Sequence, residues 1–216
     1  MARPWIEHIE TEDQEPELIG EGPWFGATRR ELSVDDQTGA STFILDCYPF
    51  WGANLAIESG LLEILVVEGE VIAHGIRVGR GGYVRAEEAS MVAGLQAIGE
   101  VRLLVMHDPS FEPPGGARPP VVLDTEAMPY EYPGLGGPAG ISVKMLNADL
   151  SRGPLTLIAC NVARYGTGPE FHSCPEELYV LGGDVTGRFG TMTDGSYFWR
   201  PEFINHGPYW LSLIHI

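Results

Sequence analysis

A shift of 114 residues lays the second half of this 216-residue chain on the first without a gap, and that repeat constrains the fold more than any other feature. Leu32 meets Leu146, Gly39 meets Gly153, Thr42 meets Thr156, Gly52 meets Gly166 and Glu63 meets Glu177. Further on, Val66 meets Val180, Gly69 meets Gly183, Val71 meets Val185, Gly81 meets Gly195 and Tyr83 meets Tyr197. Glycines and β-branched residues dominate the matches, as turns and strand cores shared by two copies of one domain require. Each copy has about 100 residues, enough to bury its own core.

Alternating apolar residues between Gly-rich turns predict strands, and helical periodicity is weak throughout. Arg29–Val34 and Ser41–Cys47 flank the turn residues 35–39, and Val143–Leu146 with Leu155–Cys160 repeat that hairpin. Leu62–Val67 and Val71–Ile76 pair around Glu68-Gly69-Glu70, mirrored by Leu178–Leu181 and Val185–Phe189 around Gly182-Gly183-Asp184. Val101–His107 closes the first unit. The expected fold is all-β, two jelly-roll barrels in tandem. An acidic arm over 1–24, which packs across the barrels or frays, precedes the first barrel at 25–108. A Pro/Gly-rich linker at 109–140 leads to the second barrel at 141–216. The register maps the first closing strand to 215–221, so the second barrel is expected to lack its last strand and to end in a truncated or non-native Leu211–Ile216.

Thirty acidic against 13 basic residues give a net charge of −17. Such a field repels phosphate backbones and anionic lipids, so neither nucleic acid nor a membrane is expected as a partner. Cys47, Cys160 and Cys174 are too few and scattered for a disulfide framework, and their odd number fits a reducing compartment. Met1–Leu18 lacks the apolar core of a signal peptide, and no stretch reaches the about 20 apolar residues of a membrane span. A cytoplasmic protein is expected.

Chemistry concentrates in Glu170-x-His172-x₃-Glu176-x₆-Gly183 and Gly195-x₅-Pro201-x₄-His206, which space two imidazoles and two carboxylates as one metal site would. On a strand, Glu170, His172 and Cys174 share a face, and Glu176 enters from the following turn. Taking His172 and Cys174 as the ligand pair would put the glutamate position on Leu178, so Cys174 is expected to be packed or to line the pocket. The first half places Ala56, Glu58, Leu62 and Val92 opposite Glu170, His172, Glu176 and His206, and so cannot hold the ion. Glu177 has a counterpart in Glu63 and is assigned to the shared fold, which leaves Glu176 as the ligand. His8, His74, His107 and His215 carry no such spacing and are expected to be structural.

These two stretches resemble the cupin motifs Gly-x₅-His-x-His-x₃-Glu-x₆-Gly and Gly-x₅-Pro-x-Gly-x₂-His-x₃-Asn. His172, Glu176, Gly183, Gly195, Pro201 and His206 fall on motif positions, while Arg164, Glu170, Phe203 and Trp210 replace a Gly, a His, a Gly and the Asn. The resemblance implies a bicupin of double-stranded β-helix barrels, degenerate at the N-terminus and metal-bearing at the C-terminus. It is also similar to the cupin domain of ChrR-type anti-sigma factors, although residues 1–30 carry no amphipathic helix of a sigma-binding segment. The implied cofactor is one divalent ion, Fe(II) or Mn(II) ahead of Zn(II) or Ni(II), held by His172, Glu176 and His206. Glu170 is a fourth ligand or a catalytic general base. The implied function is a metal-dependent enzyme, a non-haem dioxygenase or an isomerase or lyase, acting on a small organic molecule. The alternative is a non-catalytic metal- or small-ligand-binding cupin, a sensor or scaffold. A homodimer is compatible with the resemblance. Tyr179, Phe189, Phe198, Trp199, Phe203, Tyr209 and Trp210 either line an apolar pocket or fill the barrel core.

Overall fold

The sequence repeat is a repeat of strands. A computed structural model describes residues 3–113, 115–132, 140–148, 154–162 and 165–211. In chain order the strands of the first part are β1 (Ile6–Glu10), β2 (Glu17–Leu18), β3 (Thr28–Val34), β4 (Ser41–Cys47), β5 (Gly52–Ile57), β6 (Leu61–Glu68), β7 (Val71–Ala73), β8 (Ile76–Val78), β9 (Tyr83–Glu87), β10 (Ser90–Ala97) and β11 (Val101–Asp108). The second part holds β12 (Val121–Leu123), β13 (Ile141–Ala148), β14 (Leu155–Asn161), β15 (Glu176–Tyr179), β16 (Val185–Gly187), β17 (Gly190–Met192), β18 (Ser196–Arg200) and β19 (Trp210–Leu211). Shifted by the repeat, β4 falls on β14, β7 on β16 and β8 on β17, residue for residue. Among the described residues, no helix is long and apolar enough to cross a membrane.

Two sheets enclose the first core, one in the order β12-β9-β6-β11-β4-β3-β2 and one in the order β5-β10-β7-β8. Phe43, Leu45, Leu62, Ile64, Val66, Val84, Leu103 and Val105 point between them. Alternate residues of the same strands, Ile44, Leu65, Val67, Tyr83 and Leu104, point the other way into a second cluster with Leu146, Tyr197 and Trp199 of the second barrel. Strands covered on both faces lose the polar alternation of a half-exposed sheet, which is why β4 and β6 read as almost unbroken apolar runs. This apolar cluster lies between the barrels and joins them.

Among the described residues the second barrel repeats the plan with fewer paired strands. Its strands form β1-β18-β15, β13-β14 and β17-β16-β19, while the Gly52↔Gln96 pairing of β5 with β10 returns as the isolated bridge Gly166↔Trp210. Among the described residues no strand lies between β15 and β14, where β11 lies between β6 and β4. The expectation of a missing last strand concerns positions beyond Leu211, which lie outside the described residues.

Three local expectations are corrected. Val71–Ile76 is not one strand, because His74 and Gly75, both at positive φ (50° and 75°), turn the chain between β7 and β8. Nor do β6 and β7 form a hairpin: they lie in different sheets. At Gly69 (φ 79°) an added Cβ would stand 2.4 Å from the Glu100 carbonyl oxygen, so the turn that passes the chain from sheet to sheet admits no side chain. The segment read as a linker contributes β12, which pairs with β9, and Glu131 bridges to Val143.

The acidic arm is ordered into the second barrel, and it belongs to the repeat. β1 lies antiparallel on β18 with Ile9 opposite Tyr197, as β12 lies on β9 with Leu123 opposite Tyr83. Thr11 Oγ1 donates to the Gly195 carbonyl at 2.7 Å, and Thr125 Oγ1 donates to that of Gly81 at 2.6 Å. Each copy therefore begins with a strand and a 3₁₀ turn, and each lays them on the other barrel.

Candidate metal centre

Strand alternation decides which glutamate enters the second barrel. In β6, Leu62 and Ile64 face the core of their barrel and Glu63 faces the interface. By the repeat, Glu176 of β15 takes the inward place of Leu62 and Glu177 the outward place of Glu63. Glu177 accepts from Thr42 and Tyr197, each at 2.7 Å, and Glu63 from Thr156 at 2.8 Å, from Asn147 at 3.3 Å and from Tyr83. This reciprocal network between barrels belongs to the fold.

Glu176 meets the two histidines instead. Its Oε2 stands 3.2 Å from His206 Nε2 and 3.5 Å from His172 Nε2. One ligating atom from each of His172, Glu176 and His206 lies within 4.8 Å of the others. The cross-strand bridge Glu170↔His206 brings Glu170 Oε2 to 3.5 Å from His206 Nε2, but Glu170 is not part of that group of three. Between Glu170 and Glu176 the chain is irregular rather than the continuous strand expected, and Glu176 opens β15 rather than a turn. Cys174, expected to be packed or pocket-lining, is exposed, with Sγ 3.8 Å from His172 Nδ1.

Both imidazoles turn Nε2 towards the carboxylate. His172 Nδ1 donates to the Cys174 carbonyl at 2.8 Å and His206 Nδ1 to the Ile204 carbonyl at 3.0 Å. A carbonyl only accepts, so each Nδ1 carries a proton, and Nε2 is the nitrogen left to ligate. His206 Nε2 and Glu176 Oε2 are both buried without a hydrogen-bond partner. A buried carboxylate oxygen and a buried imidazole nitrogen face to face call for a cation between them, and two imidazoles with one carboxylate are a donor set that fits a divalent ion.

Residues that the motif did not single out complete the surroundings. Arg200, with 2% of its side chain exposed, donates from Nη2 to Glu7 Oε1 of the arm at 2.9 Å and from Nη1 to the Tyr209 hydroxyl. Its Nη1 also lies 3.9 Å from Glu176 Oε2. Burial raises the Tyr209 hydroxyl's pKa against the lowering influence of Arg200. A cavity of about 90 Å³ adjoins His206, its wall including Trp5, Glu7, Phe189, Arg200 and Tyr209. Phe171 and Phe203, 60% and 56% exposed with ring centroids 6.1 Å apart, flank His172, and the Phe203 N–H donates to the His172 carbonyl at 2.9 Å. Phe198 and Trp199, by contrast, are buried core, and Trp210 is exposed. The signal for Glu7, Arg200 and Tyr209 was present in the repeat, which sets them against Val121, Ala86 and Leu95.

Residues 119–213 match the family described as the ChrR cupin-like domain. No curated protein matches the sequence. Among solved structures, one described as a candidate dioxygenase from Nostoc punctiforme is similar at a TM-score of 0.80 and 16% identity, over 98% of this chain and 83% of that one. A single-site mutant of Bacillus subtilis oxalate decarboxylase is similar at 0.62 and 13% identity, over 96% and 74%. A cupin 2 conserved barrel domain protein from Leptotrichia buccalis is similar at 0.61 and 11% identity, over 96% and 94%. The motif-bearing barrel is thus matched by a cupin family, and the whole chain has the fold of two jelly-roll barrels in tandem that its cupin neighbours share.

Proposed function

We propose that the chain is a metal-dependent enzyme, a non-haem dioxygenase acting on a small organic molecule, with its centre in the second barrel. The observation that carries this reading is the trio His172, Glu176 and His206, its ligating atoms within 4.8 Å and both Nε2 atoms turned to the carboxylate. Two histidines and one carboxylate leave positions open to other ligands, the donor set that suits oxygen chemistry at Fe(II), with Mn(II) next and Zn(II) or Ni(II) after. A bound ion would supply a Lewis-acid and redox centre. The chain's own residues do the rest. Carbonyls behind His172 and His206 fix the ring orientations, and the cavity beside His206, with Trp5, Phe189 and Tyr209 in its wall, offers a partly apolar place for a small molecule. Glu170, 38% exposed and outside the trio, is placed to take a proton from a bound molecule on Oε2. The candidate dioxygenase and the oxalate decarboxylase among the structural neighbours support small-molecule chemistry on this scaffold.

The test is oxygen consumption by Fe(II)-loaded protein with phenols and diketones. Uptake that is lost in His172→Ala supports the enzyme. Tightly held Zn(II) without turnover of any candidate would replace it with a metal- or ligand-binding cupin.

A further inference from the structure

The first barrel serves as an internal comparison for the second. At the positions of Glu7, Glu176, Arg200, His206 and Tyr209 it carries Val121, Leu62, Ala86, Val92 and Leu95. All five replacements are aliphatic, and Leu62, Ala86, Val92 and Leu95 are buried in the first core. One barrel therefore holds the whole polar constellation and the other none of it, as if Glu7, Arg200 and Tyr209 are needed where the metal ligands are and nowhere else.

The physics of a buried cation supplies the reason. Arg200 is 2% exposed, and its guanidinium lies 3.8 Å above the Phe198 ring, so most of its charge must be balanced within the protein. Two carboxylates are within reach, Glu7 Oε1 at 2.9 Å and Glu176 Oε2 at 3.9 Å. Were Glu7 absent, Arg200 would draw Glu176 into a direct pair, away from the histidines. With Glu7 in place, Glu176 stays turned to His172 and His206.

We infer that Arg200 is a positioning residue for Glu176, and that Glu7 of the N-terminal arm, by balancing Arg200, keeps Glu176 free to bind the ion. The arm is thereby a working part of a centre whose ligands lie about 165 to 200 residues further along the chain. This inference rests on the reading of His172, Glu176 and His206 as metal ligands. Binding and arm docking are then reciprocal, since any free energy the docked arm adds to binding, binding adds to docking.

The test is Co(II) titration of the metal-free full chain, followed by the visible absorption of the bound ion, with near-ultraviolet circular dichroism reporting the fold. Glu7→Gln is expected to weaken Co(II) about 10- to 100-fold, the usual effect of losing a residue that orients a ligand. Glu12→Gln, on the same arm but paired with Arg102 and Arg30, is expected to leave affinity unchanged. The deciding variant is Glu7→Gln with Arg200→Met. Removing the cation removes the need for its counter-ion, so the double variant is expected to bind more tightly than Glu7→Gln alone. Wild-type affinity in Glu7→Gln, or a double variant as weak as the single one, overturns the inference while leaving the metal site standing. Failure of the wild type itself to bind Co(II) overturns both. Should the variants lose their fold, hydrogen exchange of the wild type decides. Amides of 6–10 are expected to exchange more slowly with Co(II) bound, and unchanged exchange overturns the coupling.

Discussion

At the scale of the residue, Glu176 and Glu177 are chain neighbours that face opposite ways, as consecutive strand residues do. Glu176→Gln is expected to abolish stoichiometric metal with little change in unfolding free energy. Glu177→Ala is expected to retain the metal and lose about 1–2 kcal/mol, since Thr42 and Tyr197 lose their acceptor. Metal analysis and urea unfolding of the two variants separate these outcomes. Glu58→Ala, at the first-barrel position matching His172, should leave metal content unchanged. The thiols divide in the same way. Burial, with Asp46 nearby, pushes the Cys47 thiol up to about 12, whereas Cys174 is exposed. Iodoacetamide is therefore expected to modify Cys174 in the native protein and Cys47 only after unfolding, as peptide mass mapping would show. The opposite facing of the two glutamates was legible in the sequence through the repeat, since Glu63 matches Glu177 and Leu62 matches Glu176. The place of Arg200 was not, because an arginine at a strand end reads as a surface residue until its partner on a distant arm is known.

At the scale of the element, the turns carry much of the specification. Gly69 is closed in by the Glu100 carbonyl, while Gly75, at a similar φ, has nothing within 4 Å of the place an added methyl would take. Gly75→Ala is expected to cost about 1–2 kcal/mol for the left-handed backbone alone, and Gly69→Ala clearly more, measured by urea unfolding. The second cupin motif carries a glycine where this chain has Phe203, and the backbone there is left-handed nonetheless, at φ 62°, with Ala89 matching it in the first barrel at φ 57°. The motif's glycine thus records a backbone requirement that both halves still meet. Strands such as β3, β4, β6 and β11 were legible because both apolar patterning and turns marked them. β1 was not: Ile-Glu-His-Ile-Glu is an edge strand in which every residue is partly exposed, and its acidic composition resembles a free arm. The clue lay in Ile9-Glu10-Thr11-Glu12 against Leu123-Asp124-Thr125-Glu126, matched at the same shift as the barrels.

At the scale of the whole molecule, the two barrels differ in what fills them. The first fills its core with aliphatic side chains, while the second places Glu176, Arg200 and His206 where the first has Leu62, Ala86 and Val92, and its own apolar core among the described residues is small. The second barrel is therefore expected to open first in native-state hydrogen exchange, and metal at 100 times its Kd should stabilise the chain by about 2.7 kcal/mol. The interface adds a pH dependence. Burial raises the Glu63 carboxyl above its ordinary 4.5, with Glu177 adding to the rise and the bonds from Tyr83, Thr156 and Asn147 opposing it. The folded state then holds this proton to higher pH than the unfolded chain does. The contribution is full below the unfolded value and is lost as pH rises through the folded one. Glu63→Gln is expected to remove that loss, so urea unfolding between about pH 4.5 and 8 should show the variant gaining on the wild type as pH rises.

The claim on which the functional reading depends is that one ion is gripped by His172, Glu176 and His206. Metal analysis of the full chain, purified with neither added metal nor chelator, beside His206→Ala prepared in the same way, tests it most directly. The expected result is one divalent ion per wild-type chain and none in a variant that keeps its fold. A folded wild type without metal, or a variant carrying as much as the wild type, would contradict it.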